Sequence, residues 1–184
     1  MVESAAMILP HEGNVAGTGV VTITPAAFAS RLSLRARAEA VAPLSRALGV
    51  KLPDAPKTSA RSRNGKRTAL WLGPDEWLVI DETGADLMAP CAKVRQLHAA
   101  VDISHRNVAL IVSGKGAEAA LKAGCPQNLS LEAFPLGACS RTMLGKVEVV
   151  LLREEAETFR VEHWGSFSDY VFGFLAEAIR DPVI

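Results

Sequence analysis

The sequence has few aromatic residues and no net charge, and both features exclude classes of partner. It contains six Phe, three Trp and one Tyr, and its 20 Lys and Arg residues balance its 20 Asp and Glu residues. Single-stranded nucleic acid is bound by basic grooves with interleaved aromatic side chains, which this composition does not supply. A balanced charge also gives no general attraction to duplex nucleic acid or to an anionic membrane.

Cysteines and long apolar runs are also scarce. The three cysteines, Cys91, Cys125 and Cys139, are odd in number and have no C-x-x-C spacing. The sequence therefore predicts neither a disulfide framework nor a zinc knuckle, and we expect a reduced, cytoplasmic compartment. No apolar run approaches the roughly 20 residues of a membrane helix. No basic segment before Pro10 indicates a signal peptide.

The 184 residues are enough for one domain of ordinary size. Residues 1–18 are rich in small residues without periodicity, which predicts a flexible N-terminal arm. Residues 19–184 are predicted to form a single α+β domain with largely antiparallel sheets and packed helices. The mean hydropathy of +0.18 is high for a lone chain and indicates a surface that is buried against a partner.

The elements of this domain are predicted from alternation and from glycine positions. Alternating segments such as "FASRLSLRAR" (28–37) predict strands. Glycines predict the ends of two helices at Gly49 and Gly124. The predicted helices cover 38–49, 85–98, 115–124 and 166–181.

Two comparable series of these elements follow each other. Gly49 and Gly124 lie 75 positions apart, and "RTAL" at 67–70 recurs as "RTML" at 141–144. We therefore predict two related strand–helix–strands–helix halves, at about 19–98 and about 99–184.

The segment "VDISHRNV", residues 101–108, places an aspartate, a serine and a histidine within four positions. In an extended strand Asp102 and Ser104 point to one face and His105 to the other. These side chains therefore cannot form the hydrogen-bonded chain of a Ser-His-Asp triad. No G-x-S-x-G motif presents a nucleophile elsewhere. We interpret the segment as a strand corner in which Asp and Ser side chains cap backbone amides.

The remaining motifs predict no cofactor or metal site. None of the four histidines has a cysteine or a second histidine at the spacing of metal ligands. "GTGVVT" lacks the third glycine and the following helix of a dinucleotide fingerprint. We interpret "VSGKGAE" as a tight turn around Lys115. The less favoured interpretation is a helix N-terminus that binds a phosphate or a folate tail. We predict no catalytic, cofactor-binding or metal-binding residue on this chain.

The last predicted helix is more apolar than a two-layer fold requires. One apolar face starts at Phe167 and repeats at i+4, i+7, i+8 and i+11. Phe172 and Ile179 extend the apolar surface to another side. Burial in a thick core and contact with a partner chain both explain this excess. The residues predicted as a candidate subunit interface are Trp164, Phe167, Tyr170, Phe172 and Ile179.

Five segments together resemble one protein family. They are "LWLGPDEWLVI" (70–80), "VDISHRNVALIVSG" (101–114), "LKAGCP" (121–126), "FPLGACSRTMLGKVEVVL" (134–151) and "FRVEHWGSFSDYVFGFLAEA" (159–178). In this order they look like the gamma subunit of heterotetrameric sarcosine oxidase. The resemblance covers most of residues 67–180.

This resemblance implies a non-catalytic structural subunit that assembles with alpha, beta and delta subunits. Such complexes oxidatively demethylate sarcosine to glycine, transfer the methyl carbon to tetrahydrofolate and release hydrogen peroxide. The resemblance places FAD, FMN, NAD, zinc and tetrahydrofolate on the partner subunits and none of them on this chain.

"VDISHRNVALIVSG" with its following short helix also resembles one module of the aminomethyltransferase of the glycine cleavage system, which implies a similar fold. The carboxylate-bearing segment expected after that helix is replaced by "GCPQNLS". Two alternatives remain open. One is a stand-alone folate-binding or folate-dependent module with an anion pocket near Arg106 or Lys115. The other is the same subunit in a sister complex that oxidises another N-methyl amine.

Overall fold

Two antiparallel sheets form the centre of the chain in the computed structural model, which describes residues 16–17 and 19–180. The strands, in chain order, are β1 (Ala16–Gly17), β2 (Thr22–Pro25), β3 (Ser30–Ala36), β4 (Ser59–Arg61), β5 (Arg67–Gly73), β6 (Glu76–Asp81), β7 (His98–Asp102), β8 (Asn107–Ser113), β9 (Cys139–Leu144), β10 (Val147–Glu155) and β11 (Thr158–Trp164). A six-stranded sheet has the order β1-β2-β8-β11-β10-β9, and a five-stranded sheet has the order β4-β5-β6-β3-β7. All of these pairs are antiparallel. The predicted α+β class is confirmed.

The helices follow three of the four predicted positions. They are α1 (Ala38–Leu48), α2 (Met88–Ala92), α3 (Ala117–Lys122) and α4 (Ser168–Ala178), and a single 3-10 turn at Gly165–Phe167 precedes α4. α1 ends as predicted at Gly49, whose φ of 64° lies in the left-handed region that glycine adopts without strain. The predicted N-terminal arm, residues 1–18, lies outside the described residues except for Ala16–Gly17, which pair with β2.

The predicted helix at 85–98 is wrong over most of its length. α2 covers only Met88–Ala92, and His98 is already the first residue of β7. Pro90 has no backbone N–H to continue a helix, and the exposed residues 95–97 give a longer helix no side to bury. Residues 98–102 instead pair with β3, so tertiary pairing overrides the local helical pattern.

The sheets pack face to face, and the helices cover their outer faces. α3 and α4 pack on the six-stranded sheet beside Val149 and Leu151 of β10. α1 and α2 pack on the five-stranded sheet beside Val79 of β6. The alternate residues of the same strands, such as Leu78 and Val150, meet between the sheets. The period-2 alternation of the strands thus produces helix, sheet, sheet and helix layers.

The two predicted halves share one order of elements. The series β3-α1-β4-β5-β6-α2 is repeated as β8-α3-β9-β10-β11-α4, and the strands take equivalent places in the two sheets. Gly49 and Gly124 follow the equivalent helices α1 and α3. "RTAL" and "RTML", however, lie on β5 and β9, which are not equivalent strands. Their similarity therefore does not reflect the repeat.

Each sheet is completed by a strand from the other half. β2, which leads the first half, pairs with β8, and β7, which leads the second half, pairs with β3. Neither half has a complete sheet of its own. The boundaries at 19–98 and 99–184, and the folding of residues 19–184 as a single domain, remain predictions.

Gly114 makes the turn between β8 and α3. Its φ of 112° lies in the left-handed half of backbone space, and a Cβ at this position would overlap the carbonyl oxygen of Val20. Its backbone N–H donates to the carbonyl of Glu157 at 2.9 Å. The tight-turn interpretation of "VSGKGAE" agrees with this geometry.

We expect Gly114→Ala to lower the free energy of unfolding by about 2–3 kcal/mol, because backbone strain and steric overlap act together. Urea unfolding followed by circular dichroism measures the change. Gly173→Ala is the matched control, since a Cβ at Gly173 on the exposed side of α4 meets nothing within 4 Å. That control should gain about 0.5–1 kcal/mol. Equal effects of the two variants would contradict the assigned turn.

Candidate subunit interface

The corner between β7 and β8 contains the sequence that resembled a triad. Asp102 Oδ1 accepts hydrogen bonds from the backbone N–H of Ser104 at 2.8 Å and from Ser104 Oγ at 2.6 Å. Ser104 Oγ in turn accepts from the backbone N–H of Arg31 at 2.8 Å. The hydrogen bonds from Ser104 hold the pKa of Asp102 below its ordinary value despite partial burial. His105 is exposed. The predicted strand corner is confirmed.

An exposed aromatic stack adjoins this corner. The Trp164 ring, at the end of β11, lies 5.9 Å from the Phe167 ring at an interplanar angle of 21°. The Arg106 guanidinium covers the Trp164 ring at 5.0 Å from its centroid. The backbone N–H of Gly165 donates to the carbonyl of Arg106 at 2.7 Å and fixes the two elements together. Arg106, Trp164 and Phe167 are called the aromatic stack below.

The aromatic stack leaves a large apolar area in contact with water. Trp164 is 44% exposed and Phe167 is 40% exposed. Trp and Arg are the residue types most enriched at the energetic centres of protein interfaces. Trp164 and Phe167 are held at the junction of β11 and the following 3-10 turn, with Arg106 over the Trp164 ring, and this arrangement suits contact with another chain.

Tyr170, one helical turn after Phe167, contacts its own chain and is also partly exposed. Its hydroxyl accepts a hydrogen bond from the backbone N–H of Lys146 at 3.1 Å, and its ring lies 6.1 Å from that of Phe174. A Cβ on Gly145 would overlap the Tyr170 hydroxyl, so the close approach of α4 to the β9–β10 turn requires this glycine. Tyr170 nevertheless remains 37% exposed.

The remaining two predicted interface residues lie deeper. Phe172 is half-buried and packs against the core of the six-stranded sheet. Ile179 is 4% exposed and belongs to that core. The expectation that Ile179 faces a partner is therefore corrected. Ile179 follows Val171 and Leu175 at i+4 spacing, so it continues the face of α4 that these two residues bury against the sheet.

A cavity of about 210 Å³ opens between the two sheets beside the aromatic stack. Its wall includes Ser33 of β3, Asn107 of β8, and both Arg106 and Trp164 of the aromatic stack. Glu76, from β6, also lines this cavity.

Glu76 is bound by two arginines. Arg141 Nη2 donates to it at 2.5 Å and Arg35 Nη2 donates at 2.9 Å. The hydrogen bond from Arg141 is the largest influence on Glu76, and it lowers the pKa of this carboxyl below its ordinary value. The Glu76 side chain is therefore an anion with its partners already in place.

A buried ion network joins the two sheets behind this cavity. Arg31 of β3 donates from Nε to Glu162 of β11 at 2.6 Å, and Arg160 Nε donates to the same carboxylate at 2.7 Å. Arg31 and Glu162 are each 1% exposed. Burial disfavours the charged carboxylate, but the charges of Arg160 and Arg31 outweigh it and hold the pKa of Glu162 below its ordinary value.

Arg106 and Lys115 lie at opposite ends of β8. Arg106 precedes Asn107, the first residue of the strand, and Lys115 follows Ser113, the last. The strand alone spans about 20 Å. The two cations therefore cannot bind one small ligand together.

The described part of the chain contains no group of three or more His, Cys, Asp or Glu side chains that could hold a metal ion. The three cysteines are buried free thiols. Burial raises the pKa of Cys139 to about 12, so its thiol stays protonated at neutral pH. None of the helices in residues 16–17 and 19–180 is both long enough and apolar enough to cross a membrane.

Comparison with known proteins identifies the family. Residues 35–181 match the model of the family described as sarcosine oxidase, gamma subunit. The chain belongs to this family. Among its members, the sarcosine oxidase subunit gamma of Corynebacterium sp. strain P-1 is 31% identical over 174 residues, which are 92% of this chain and 84% of that protein. The corresponding subunit of strain U-96 is 30% identical over 171 residues, with 91% and 83% covered.

Solved structures agree with this membership of the gamma-subunit family. A chain of the heterotetrameric sarcosine oxidase from Corynebacterium sp. U-96 superposes with a TM-score of 0.83 at 30% identity and covers 91% of this chain and 87% of that chain. Glycine cleavage system aminomethyltransferase T from Bartonella henselae superposes with a TM-score of 0.63 at 14% identity, over 88% of this chain and 49% of that chain. The second likeness concerns the fold alone and confirms the predicted aminomethyltransferase-like module.

The sequence did not single out several residues that shape this site. Asn107 and Glu162 were absent from the predicted set, and Arg106 was considered only as an anion ligand. A signal existed for Glu162, because β11 alternates apolar Phe159 and Val161 with charged residues. Charged residues on the second face of a central strand indicate a buried ion pair.

Proposed function

We propose that this chain is the non-catalytic gamma subunit of a heterotetrameric sarcosine oxidase. It assembles with alpha, beta and delta subunits. The assembled enzyme oxidatively demethylates sarcosine to glycine, transfers the methyl carbon to tetrahydrofolate and releases hydrogen peroxide. The observation that carries the proposal is the similarity of nearly the whole chain to gamma subunits and to a chain of a solved heterotetramer.

In this proposal the cofactors belong to the partner subunits. FAD, FMN, NAD, zinc and tetrahydrofolate are bound there, and this chain supplies a rigid supporting body. The cavity of about 210 Å³ between the sheets is smaller than the roughly 300–1,000 Å³ of ordinary cofactor pockets, so this cavity does not suit a cofactor. The buried free thiols support a reduced, cytoplasmic location for the complex.

We assign the contact with a partner subunit to the surface formed by Trp164, Phe167 and Tyr170, together with the half-buried Phe172. Exposed rings held in place by their own chain lose little side-chain entropy on binding. The aromatic stack meets this condition because Arg106 and Phe167 already hold Trp164 from two sides.

Replacing Trp164 by alanine should weaken assembly with the partner subunits by about 30-fold, which corresponds to about 2 kcal/mol. The stability of the isolated chain should change by only about 1 kcal/mol, since one stacked pair and one cation–π contact are lost. Titration of the labelled chain with the co-purified partner subunits measures the dissociation constant.

Leu136→Ala is the matched control for this experiment. Leu136 is 61% exposed and lies in the loop before β9, away from the aromatic stack in sequence. We expect no change in assembly for this variant. Equal losses for Trp164→Ala and Leu136→Ala would count against the assigned surface.

The folate-module alternative makes a different prediction for the isolated chain. That alternative requires an anion pocket near Arg106 or near Lys115, which lie at opposite ends of β8. If the chain is a gamma subunit as proposed, titration with tetrahydrofolate should give no saturable signal. Micromolar binding by the isolated chain would favour the alternative. The identity of the N-methyl amine is set on another chain in either type of complex.

A further inference from the structure

Three hydrogen-bond donors line the cavity without partners. Asn107 is 7% exposed, and its Oδ1 accepts from Arg106 Nε at 3.0 Å. Because Nε–H can only donate, the amide nitrogen Nδ2 of Asn107 is turned away from Arg106. Within residues 16–17 and 19–180, no acceptor is bound by this nitrogen, by the terminal nitrogens of Arg106 or by the hydroxyl of Ser33. None of these donor atoms is fully buried, so an acceptor from another molecule can reach all of them.

The cavity also has a positive charge without a counterion. Its carboxylates already have guanidinium partners: Arg141 contacts Glu76 at 2.5 Å and Glu148 at 3.6 Å, and Glu162 belongs to the buried ion network. Arg106 lines the same cavity, and the described part of the chain places no carboxylate within ion-pair distance of it. An acceptor with a negative charge therefore suits the Arg106 side of the cavity.

We propose that this cavity accepts the carboxylate of an acidic side chain from a partner subunit. The carboxylate accepts from Arg106, Asn107 Nδ2 and Ser33 Oγ, while the apolar part of the same segment covers Trp164 and Phe167. This inference rests on the proposed function, because it names the chemistry of the segment that contacts the aromatic stack.

The size and position of the cavity favour a side chain of a partner over a free ligand. A volume of about 210 Å³ suits a side chain rather than a cofactor. A small free carboxylate would occupy the cavity but would leave Trp164 and Phe167 in water. A protein segment covers both features at once, with a charged group at the centre and aromatic contacts around it.

Two substitutions test whether a carboxylate of the partner subunit occupies the cavity in the assembled complex. Arg106→Gln removes the charge, and Asn107→Asp keeps the shape and the bond to Arg106 but repels an incoming carboxylate. Each variant should weaken assembly at least about 10-fold. Lys115→Gln, which removes an exposed cation at the other end of β8, is the control and should leave assembly unchanged. Circular dichroism of each isolated variant verifies that it is folded.

A photo-crosslinking residue placed at Phe167 in the co-expressed complex identifies the partner segment. We expect the crosslinked peptide to contain Asp or Glu. Changing that acid to its amide should weaken assembly, and combining it with Arg106→Gln should add little further loss. Additive losses, or a crosslink to a second copy of this chain, would overturn the proposal.

The same experiments separate this inference from the proposed function. If the wild-type chain fails to assemble with alpha, beta and delta subunits, the proposed function itself fails. If Trp164→Ala weakens assembly but Arg106→Gln and Asn107→Asp do not, the subunit role stands and the carboxylate is rejected. Titration with N-acetylglutamate, followed by Trp164 fluorescence, tests a free ligand. Saturable binding that persists after assembly would assign the cavity to a small molecule and overturn the proposal.

Discussion

Replacing Glu162 by alanine should lower the free energy of unfolding by about 3–5 kcal/mol. The substitution leaves Arg31 without a carboxylate and leaves Arg160 with only Glu154 at 4.0 Å, and both arginines are nearly inaccessible to water. Removing one partner of a buried ion network is far more destabilising than removing the whole network. Urea unfolding followed by tryptophan fluorescence measures the change.

An exposed ion pair on the same chain provides the control for Glu162. Glu177 and Arg180 contact each other at 2.9 Å, and their side chains are 75% and 73% exposed. Glu177→Ala should change the stability by less than about 0.5 kcal/mol, because solvent screens the pair. A loss for Glu162→Ala no larger than this would show that the network does not hold the sheets together.

The same carboxylate should make stability depend on pH. The pKa of Glu162 in the folded chain lies below its ordinary value of 4.5, so its ion pairs stabilise the fold at pH values above 4.5. That contribution is lost as the pH falls through the lowered pKa. The stability difference between the wild type and Glu162→Gln should therefore shrink as the solution is acidified below pH 4.5.

Trp77→Ala should lower the free energy of unfolding by about 3–5 kcal/mol. Trp77 is 2% exposed in the core between α1 and the five-stranded sheet. Its Nε1–H donates to the carbonyl of Pro53 at 2.7 Å and so ties the loop after α1 to β6. The alanine variant loses both the buried ring and this hydrogen bond.

Trp77→Phe separates these two contributions. Phenylalanine fills most of the same space but leaves the Pro53 carbonyl without its donor, so we expect a loss of about 1–3 kcal/mol. Urea unfolding followed by circular dichroism measures both variants. Equal losses for the two substitutions would contradict the account, because they would assign the whole effect to the hydrogen bond.

Most strands could be predicted because alternation and turn residues are local signals. "SRLSLRA" reads as β3 because Leu32 and Leu34 alternate with polar residues, and Gly49 marks the end of α1. The failure at 85–98 has a non-local cause. Residues 98–102 form an edge strand that pairs with β3, and the sequence of this segment does not indicate that pairing.

The candidate site could be predicted only in part. The excess of aromatic residues after β11 indicated a surface, and Trp164, Phe167 and Tyr170 are indeed exposed. The contact of Arg106 with Trp164 joins two elements more than fifty positions apart, and Glu162 contacts Arg31 across 131 positions. Spacing within one element does not reveal such contacts.

The number and identity of the chains that accompany this chain in its native state test the account most directly. Native mass spectrometry of the chain, purified from its own cells, should give one complex that also contains alpha, beta and delta subunits. This complex should consume oxygen when sarcosine is added. The isolated chain should consume none. Sarcosine oxidation by the 19.6 kDa chain alone, with nothing bound to it, would contradict the account.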